Sequence, residues 1–159
     1  MECKERLEKY LRENDVAFDV REHPSAFTAQ RVAAEDHVPG RMFAKVVIVT
    51  ADGELRMVVM PAPECVDRDR AREALGAKEL LIATESDFGT TFADCDLGAM
   101  PPFGNLYGLP VCVDASLTEN ELITFQAGTH TTTMTITVKD FIRLVKPQVI
   151  ELSMQPAMV

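Results

Sequence analysis

Two apolar runs, Phe43–Thr50 and Glu54–Met60, are joined only by Ala51-Asp52-Gly53. So short a connection leaves antiparallel pairing as the sole choice, because a parallel crossover needs about a dozen residues or more. Asp-Gly also supplies the left-handed backbone that a tight hairpin turn requires. The sheet seeded here is therefore not the all-parallel sheet of a doubly wound domain. The remaining chain agrees with that reading. From Cys3 to Asn14, Leu7, Tyr10 and Leu11 fall at helical spacing. Val16, Phe18 and Val20 alternate with polar residues, which predicts a half-buried strand ending at His23-Pro24. Thr28 caps a short helix to about His37, and Pro39-Gly40 stops it. Asp67 caps a helix through Leu75 that Gly76 closes. Leu80–Ala83, Val111–Val113, Ile123–Ala127 and Thr133–Val138 read as strands, Thr84–Phe92 and Leu117–Leu122 as helical turns, and Lys139–Val145 as a closing helix. Hairpins mixed with helices at irregular intervals predict an α+β domain. With no repeat or linker-like segment, residues 1–159 read as one domain.

Charge and cysteine usage narrow the function classes. No apolar run approaches the roughly 20 residues of a membrane span. The charged start, Met1-Glu2-Cys3-Lys4-Glu5-Arg6, lacks the apolar stretch of a secretion signal, so a cytoplasmic chain without a membrane partner is expected. Cys3, Cys65, Cys95 and Cys112 show no metal-ligand or redox spacing, which predicts four free thiols. A formal charge of −9 argues against a generic nucleic-acid binder. The charge is uneven, however: 13 of the 16 Lys and Arg lie in residues 1–80. A local basic face could draw on Arg12, Arg21, Arg31, Arg41, Arg68, Arg70 and Arg72.

Three features stand out as candidates for chemistry. Lys45 sits in Met42-Phe43-Ala44-Lys45-Val46-Val47-Ile48-Val49, where its neighbours call for burial. A buried ammonium costs several kcal/mol unless it is paired, so Lys45 either snorkels to solvent or presents a cation to a pocket. Gly98-Ala99-Met100-Pro101-Pro102-Phe103-Gly104 is a rigid loop whose amides could face a ligand, or simply a structural turn. It is not a P-loop, which requires a lysine and a hydroxyl residue. His130, after Gly128 at a turn between strands, is either incidental or a proton-transfer group. His23 and His37 read as structural. A metal site from Asp94, Cys95, Asp96 and His130, or a Cys95–His130 nucleophile pair, lacks recognisable spacing.

Those features fall in the order of a known pattern. The pieces are Glu22-His23-Pro24, Phe43-Ala44-Lys45-Val46-Val47, Val66-Asp67 before Leu75-Gly76, and Gly98 to Gly104, followed by Val113-Asp114 and Ala127-Gly128-Thr129-His130 before Lys139-Asp140-Phe141. Spanning about Val16 to Val145, the chain resembles the YbaK-type aminoacyl-tRNA deacylases, a family that includes the editing domain of many prolyl-tRNA synthetases. The resemblance implies a mixed, mostly antiparallel, barrel-like sheet flanked by helices. It implies Lys45 as the residue on which activity depends, Gly98, Ala99, Met100 and Pro101 as the loop beside the scissile ester, and Gly128 with His130 at the substrate. His130 matches only some members. The approach from Phe88 to Gly98 is longer and more acidic than in many members, and it bears on the amino acid recognised.

The function implied is a trans-acting deacylase that hydrolyses the ester of mischarged tRNA, a reaction needing no cofactor. Side chains differing by one methylene are separated at one pocket by only about 1–3 kcal/mol, so a second, hydrolytic pocket multiplies the selectivity. Mischarged aminoacyl-tRNA is the expected partner, an aminoacyl-tRNA synthetase a further one, and the chain a monomer or homodimer. The alternative is a catalytically silent module of the same fold that binds tRNA or a small aminoacyl ligand.

Overall fold

The structure, a computed structural model, describes residues 2–24, 33–34 and 38–154. The helix expected from Thr28 to His37 lies mostly outside them; Ala33 and Ala34 are helical. The expected hairpin forms the centre of the molecule. Strand β2 (Ala44–Ala51) pairs antiparallel with β3 (Glu54–Pro61) along its whole length, from Ala44 opposite Pro61 to Ala51 opposite Glu54. Asp52 and Gly53 turn the chain with φ of 51° and 84°, the two left-handed residues of a tight hairpin. The Asp52 carboxylate accepts the amides of Lys78 and Glu79 at 3.0 and 2.9 Å, which ties the turn to the segment leading into Leu80.

Around this hairpin grows a sheet in the order β5-β2-β3-β6-β9, with β5 at Leu80–Ile82, β6 at Val111–Asp114 and β9 at Gln148–Ile150. A second sheet, β1-β8-β7, consists of Asp19–Glu22, Thr132–Thr137 and Leu122–Gln126. A third pairs β4 (Cys65–Val66) with β10 (Ser153–Met154). Most pairings are antiparallel, but β3 with β6 and β6 with β9 are parallel. A single parallel bridge, Phe43 to Thr124, joins the first two sheets.

Helix α1 (Cys3–Glu13) buries Cys3, Leu7 and Leu11 and leaves its charges outward. Helix α2 (Arg68–Leu75) starts at Asp67, whose carboxylate accepts the Arg70 amide, and stops at Gly76 with φ of 65°. Helix α3 (Glu85–Phe88) begins with a capping box of Thr84 and Asp87. Helix α4 (Val138–Val145) carries the chain from β8 to the parallel strand β9. The larger core lies between the hairpin and the β1-β8-β7 sheet, around Leu7, Met57, Phe103, Phe125, Met134 and Phe141. A smaller core, with Val49, Val58, Met60, Ala71 and Leu152, fills the hairpin's other face. No helix of the described residues is long and apolar enough to cross a membrane.

Candidate active site

The loop beginning at Gly98 is held from below by its own aromatic residue. Phe103 is fully buried, with its ring 5.5 Å from Phe125, 6.0 Å from Phe141 and 6.2 Å from Tyr10, all edge to face. Burying such a ring contributes about 1.5–3 kcal/mol and draws Met100, Pro101 and Pro102 inward with it. Gly104 closes the loop because nothing larger fits: a Cβ there would stand 2.7 Å from Val111 Cγ2 and 3.1 Å from the Leu109 carbonyl oxygen. Gly98 opens it at φ of 84°, a conformation that glycine adopts without strain.

From above, the turn at Gly128–His130 is laced onto the loop. Asp96 donates its amide to the Gly128 carbonyl at 2.8 Å, and the Gly128 amide donates to the Ala99 carbonyl at 2.9 Å. His130 Nε2 lies 2.9 Å from the Leu97 carbonyl oxygen. That oxygen can only accept, so Nε2 carries a proton. The ring faces Gly98, where its Cε1 would be 3.5 Å from an added Cβ. The structure thus brings Gly98, Ala99, Gly128 and His130 together, from segments about 30 residues apart. It also refines the use of the loop amides. Ala99 spends its N–H on the Asp96 carbonyl at 3.0 Å. Pro101 has none, and the amides of Gly98 and Met100 have no partner among the described residues.

Gly98 and Met100 border a cleft of about 280 Å³ between the loop and β2, walled also by Val46, Ile48, Ile82 and Phe88. The cleft exists because β2 has two different neighbours on this edge. It pairs with β5 only at Val49–Ala51 and meets β7 only at Phe43, so its middle is left to the loop.

Lys45 lies in that stretch, half-buried, but is not one of the residues that wall the cleft. Burial holds it below the ordinary lysine range, and the nearby Cys65 and Glu64 act the other way. No hydrogen bond or ion pair joins it to the loop or to His130 among the described residues. Parallel register at the Phe43–Thr124 bridge puts Lys45 and Gln126, two residues further along, on the bridged residues' face of their strands.

That face is polar yet buried, a feature the sequence reading missed. Thr133 and Thr124 are buried, Gln126 is 6% exposed and His23 9%. Gln126 Nε2 and His23 Nε2 are buried without a hydrogen-bond partner among the described residues. An orphaned buried polar group costs about 1–3 kcal/mol, which a ligand's polar atoms could recover. His23 Nδ1 is satisfied locally by the Pro24 carbonyl at 2.8 Å.

Two weaker sequence constellations are not formed. Cys95 turns away from His130 to contact Tyr107 at 3.1 Å, so neither the Cys95–His130 pair nor a metal site using His130 exists among the described residues. The basic candidates also separate. Arg12, Arg21, Arg70 and Arg72 pair with Glu8, Asp19, Asp67 and Asp69, whereas Arg41 and Arg68 have no carboxylate partner among the described residues. Arg31 lies outside the described residues.

Residues 23–144 match the model of the aminoacyl-tRNA editing domain. The chain belongs to the aminoacyl-tRNA editing domain family. The matched span takes in Lys45, the Gly98 loop and His130. No curated protein matches the chain. Among solved structures, a candidate trans-editing enzyme for prolyl-tRNA synthetase superposes with TM-score 0.82 at 20% identity, covering 98% of each chain. A hypothetical protein superposes with TM-score 0.84 at 16% identity, covering 94% of this chain and 99% of its own. A third, described as a candidate signal transduction protein from Marinobacter aquaeolei, gives TM-score 0.75 at 15% identity over 94% of this chain and 30% of its own. At such identities these likenesses establish the α+β editing-domain fold.

Proposed function

We propose that this editing-domain protein is a trans-acting deacylase that hydrolyses the ester of mischarged aminoacyl-tRNA. The observation that carries the reading is the pair of open amides, Gly98 and Met100, fixed beside a cleft on β2 by the His130 turn. Ester hydrolysis develops negative charge on the carbonyl oxygen, and preorganised N–H donors in a dry site stabilise it well. In this scheme water adds to the ester carbon, the open amides receive the oxyanion, and the carbon–oxygen bond to the ribose breaks. The ribose oxygen leaves with a proton, releasing free amino acid and tRNA.

Lys45 is proposed to orient the ester end or the terminal phosphate. Gln126, with a buried and unpaired amide nitrogen, is proposed to donate to an acceptor on the aminoacyl-adenosine. His130, its Nε2–H held by the Leu97 carbonyl, is proposed to position water or bind the substrate. The ester is already activated, so positioning and oxyanion stabilisation suffice. An aminoacyl-tRNA synthetase is a further proposed partner, which would hand over the mischarged product.

The test is a panel of mischarged tRNAs incubated with catalytic amounts of purified protein. Release of amino acid from at least one, above the uncatalysed rate, is expected. Binding without release from any member would favour a silent module instead.

A further inference from the structure

Helix α1 opens with a thiol that the proposed site does not use. Cys3 donates its amide to the Asp94 carbonyl at 3.2 Å, which seats the helix start on the approach to the Gly98 loop. Its Sγ lies within 4.8 Å of Cys95 Sγ, although the two residues are far apart in sequence. The Tyr107 hydroxyl lies 3.4 Å from Cys3 Sγ and 3.1 Å from Cys95 Sγ, and donates to Asp94 at 3.0 Å. Arg6 covers the group, 4.6 Å above the Tyr107 ring and 3.7 Å from Asp94 Oδ2.

This setting makes the two thiols unequal. The hydrogen bond from Cys95 lowers the Cys3 thiol below the ordinary range, and Tyr107 and Arg6 act the same way against burial and the Asp94 carboxylate. That same hydrogen bond, together with burial, raises Cys95. Cys3 is therefore the readier thiolate, and the thiolate is the reactive form. A polar cleft of about 390 Å³, lined by Glu2, Cys3, Lys4, Asp94, Gly128 and Thr129, adjoins the buried Cys3. Arg6 already neutralises Asp94, which disfavours a divalent cation among these three ligands.

We propose that Cys3 and Cys95 are an oxidisable pair that hydrogen peroxide converts to a reversible disulfide clamping α1 to the approach of the Gly98 loop. The Cys3 thiolate attacks one peroxide oxygen, the O–O bond breaks, and hydroxide leaves and takes a proton to form water. The sulfur becomes a sulfenic acid. Cys95 then attacks that sulfur, the S–O bond breaks, and the departing hydroxide takes the Cys95 proton as a second water. Asp94 Oδ1, 3.6 Å from Cys95 Sγ, is placed to relay that proton. Two thiols lose two electrons and one peroxide gains them. The clamp also braces the His130 turn, because Cys3 packs so closely on Gly128 that a Cβ there would stand 2.7 Å from Cys3 Sγ.

The test treats the reduced protein with hydrogen peroxide, then counts thiols and maps peptides without reduction. The expected result is a fall from four thiols to two, a Cys3–Cys95 linked peptide, reversal by dithiothreitol, and a melting temperature raised by about 5–10 °C. Cys95→Ser should instead accumulate a sulfenic acid at Cys3, trapped by dimedone. Four thiols remaining, a link through Cys65 or Cys112, or sulfinic acid at Cys3 with Cys95 still free would overturn the proposal. So would zinc that the reduced protein retains one to one and the Cys3→Ser variant loses.

Discussion

Replacing Gly104 with alanine isolates the packing that holds the loop. Its φ is not in the left-handed region, so the substitution adds no backbone strain of that kind. Stiffening the unfolded chain would by itself favour the variant by about 0.4–1 kcal/mol. Against this, the new methyl would stand 2.7 Å from Val111 Cγ2 and 3.1 Å from the Leu109 carbonyl oxygen, in a core where neither neighbour is a flexible chain end. Overpacking of this kind costs about 1–3 kcal/mol, so the collision wins and Gly104→Ala should be destabilised by about 1–2 kcal/mol. Urea unfolding should show a lower midpoint with an unchanged slope. Val111→Ala removes the nearer obstacle. Alone it should cost about 1–3 kcal/mol for lost burial, but in the Gly104→Ala background it should cost at least about 1 kcal/mol less. If the two changes add to within about 0.5 kcal/mol, the collision is not the reason for this glycine.

Other consequences concern the site and its surface. Gln126→Leu should leave stability unchanged within about 1 kcal/mol, since it removes an unpaired buried donor, yet lower kcat/KM for mischarged tRNA by about tenfold or more; equal activity would remove Gln126 from the site. Arg41→Ala and Arg68→Ala should each weaken tRNA binding and flatten its salt slope by about one unit, whereas the ion-paired Arg70 and Arg72 should matter less; the reverse ranking in filter-binding titrations would contradict the patch. Asp52 is held below the ordinary carboxylate range by the Glu79 and Lys78 amides. Its contribution is therefore present above the unfolded carboxylate pKa and lost as pH falls through the lower folded value. Asp52→Asn should make stability fall less steeply below about pH 4; identical pH profiles in urea melts would refute it.

Where local chemistry decides an element, the sequence was readable. Asp67 and Gly76 bound α2 through a side-chain cap and a left-handed residue, and Asp52-Gly53 turns the hairpin, so the signals lie within a few residues of their effects. The Gly98–Gly104 loop was likewise visible, because glycine and proline act on their own backbone. Strands β4, β9 and β10 were missed, since two or three residues carry no alternation and exist only through their partners. Gln126 and Thr133 looked like ordinary strand residues; only their pairing and the Phe43–Thr124 bridge reveal a buried polar face. Lys45 was conspicuous as a cation in an apolar run, but which strand its own meets at Phe43 depends on a contact about 80 residues away. Cys3 and Cys95 were invisible as a pair for the same reason.

The most direct measurement is single-turnover hydrolysis of a mischarged tRNA by wild-type protein, Lys45→Ala and Lys45→Arg, each first shown to be folded by circular dichroism. Lys45→Ala is expected to lose at least about 100-fold in rate, a loss of the size seen when one charge-stabilising donor is removed. Arginine should not restore the rate, because its planar fork cannot replace a compact ammonium. A folded Lys45→Ala protein that hydrolyses the ester at the wild-type rate would remove Lys45 from the reaction.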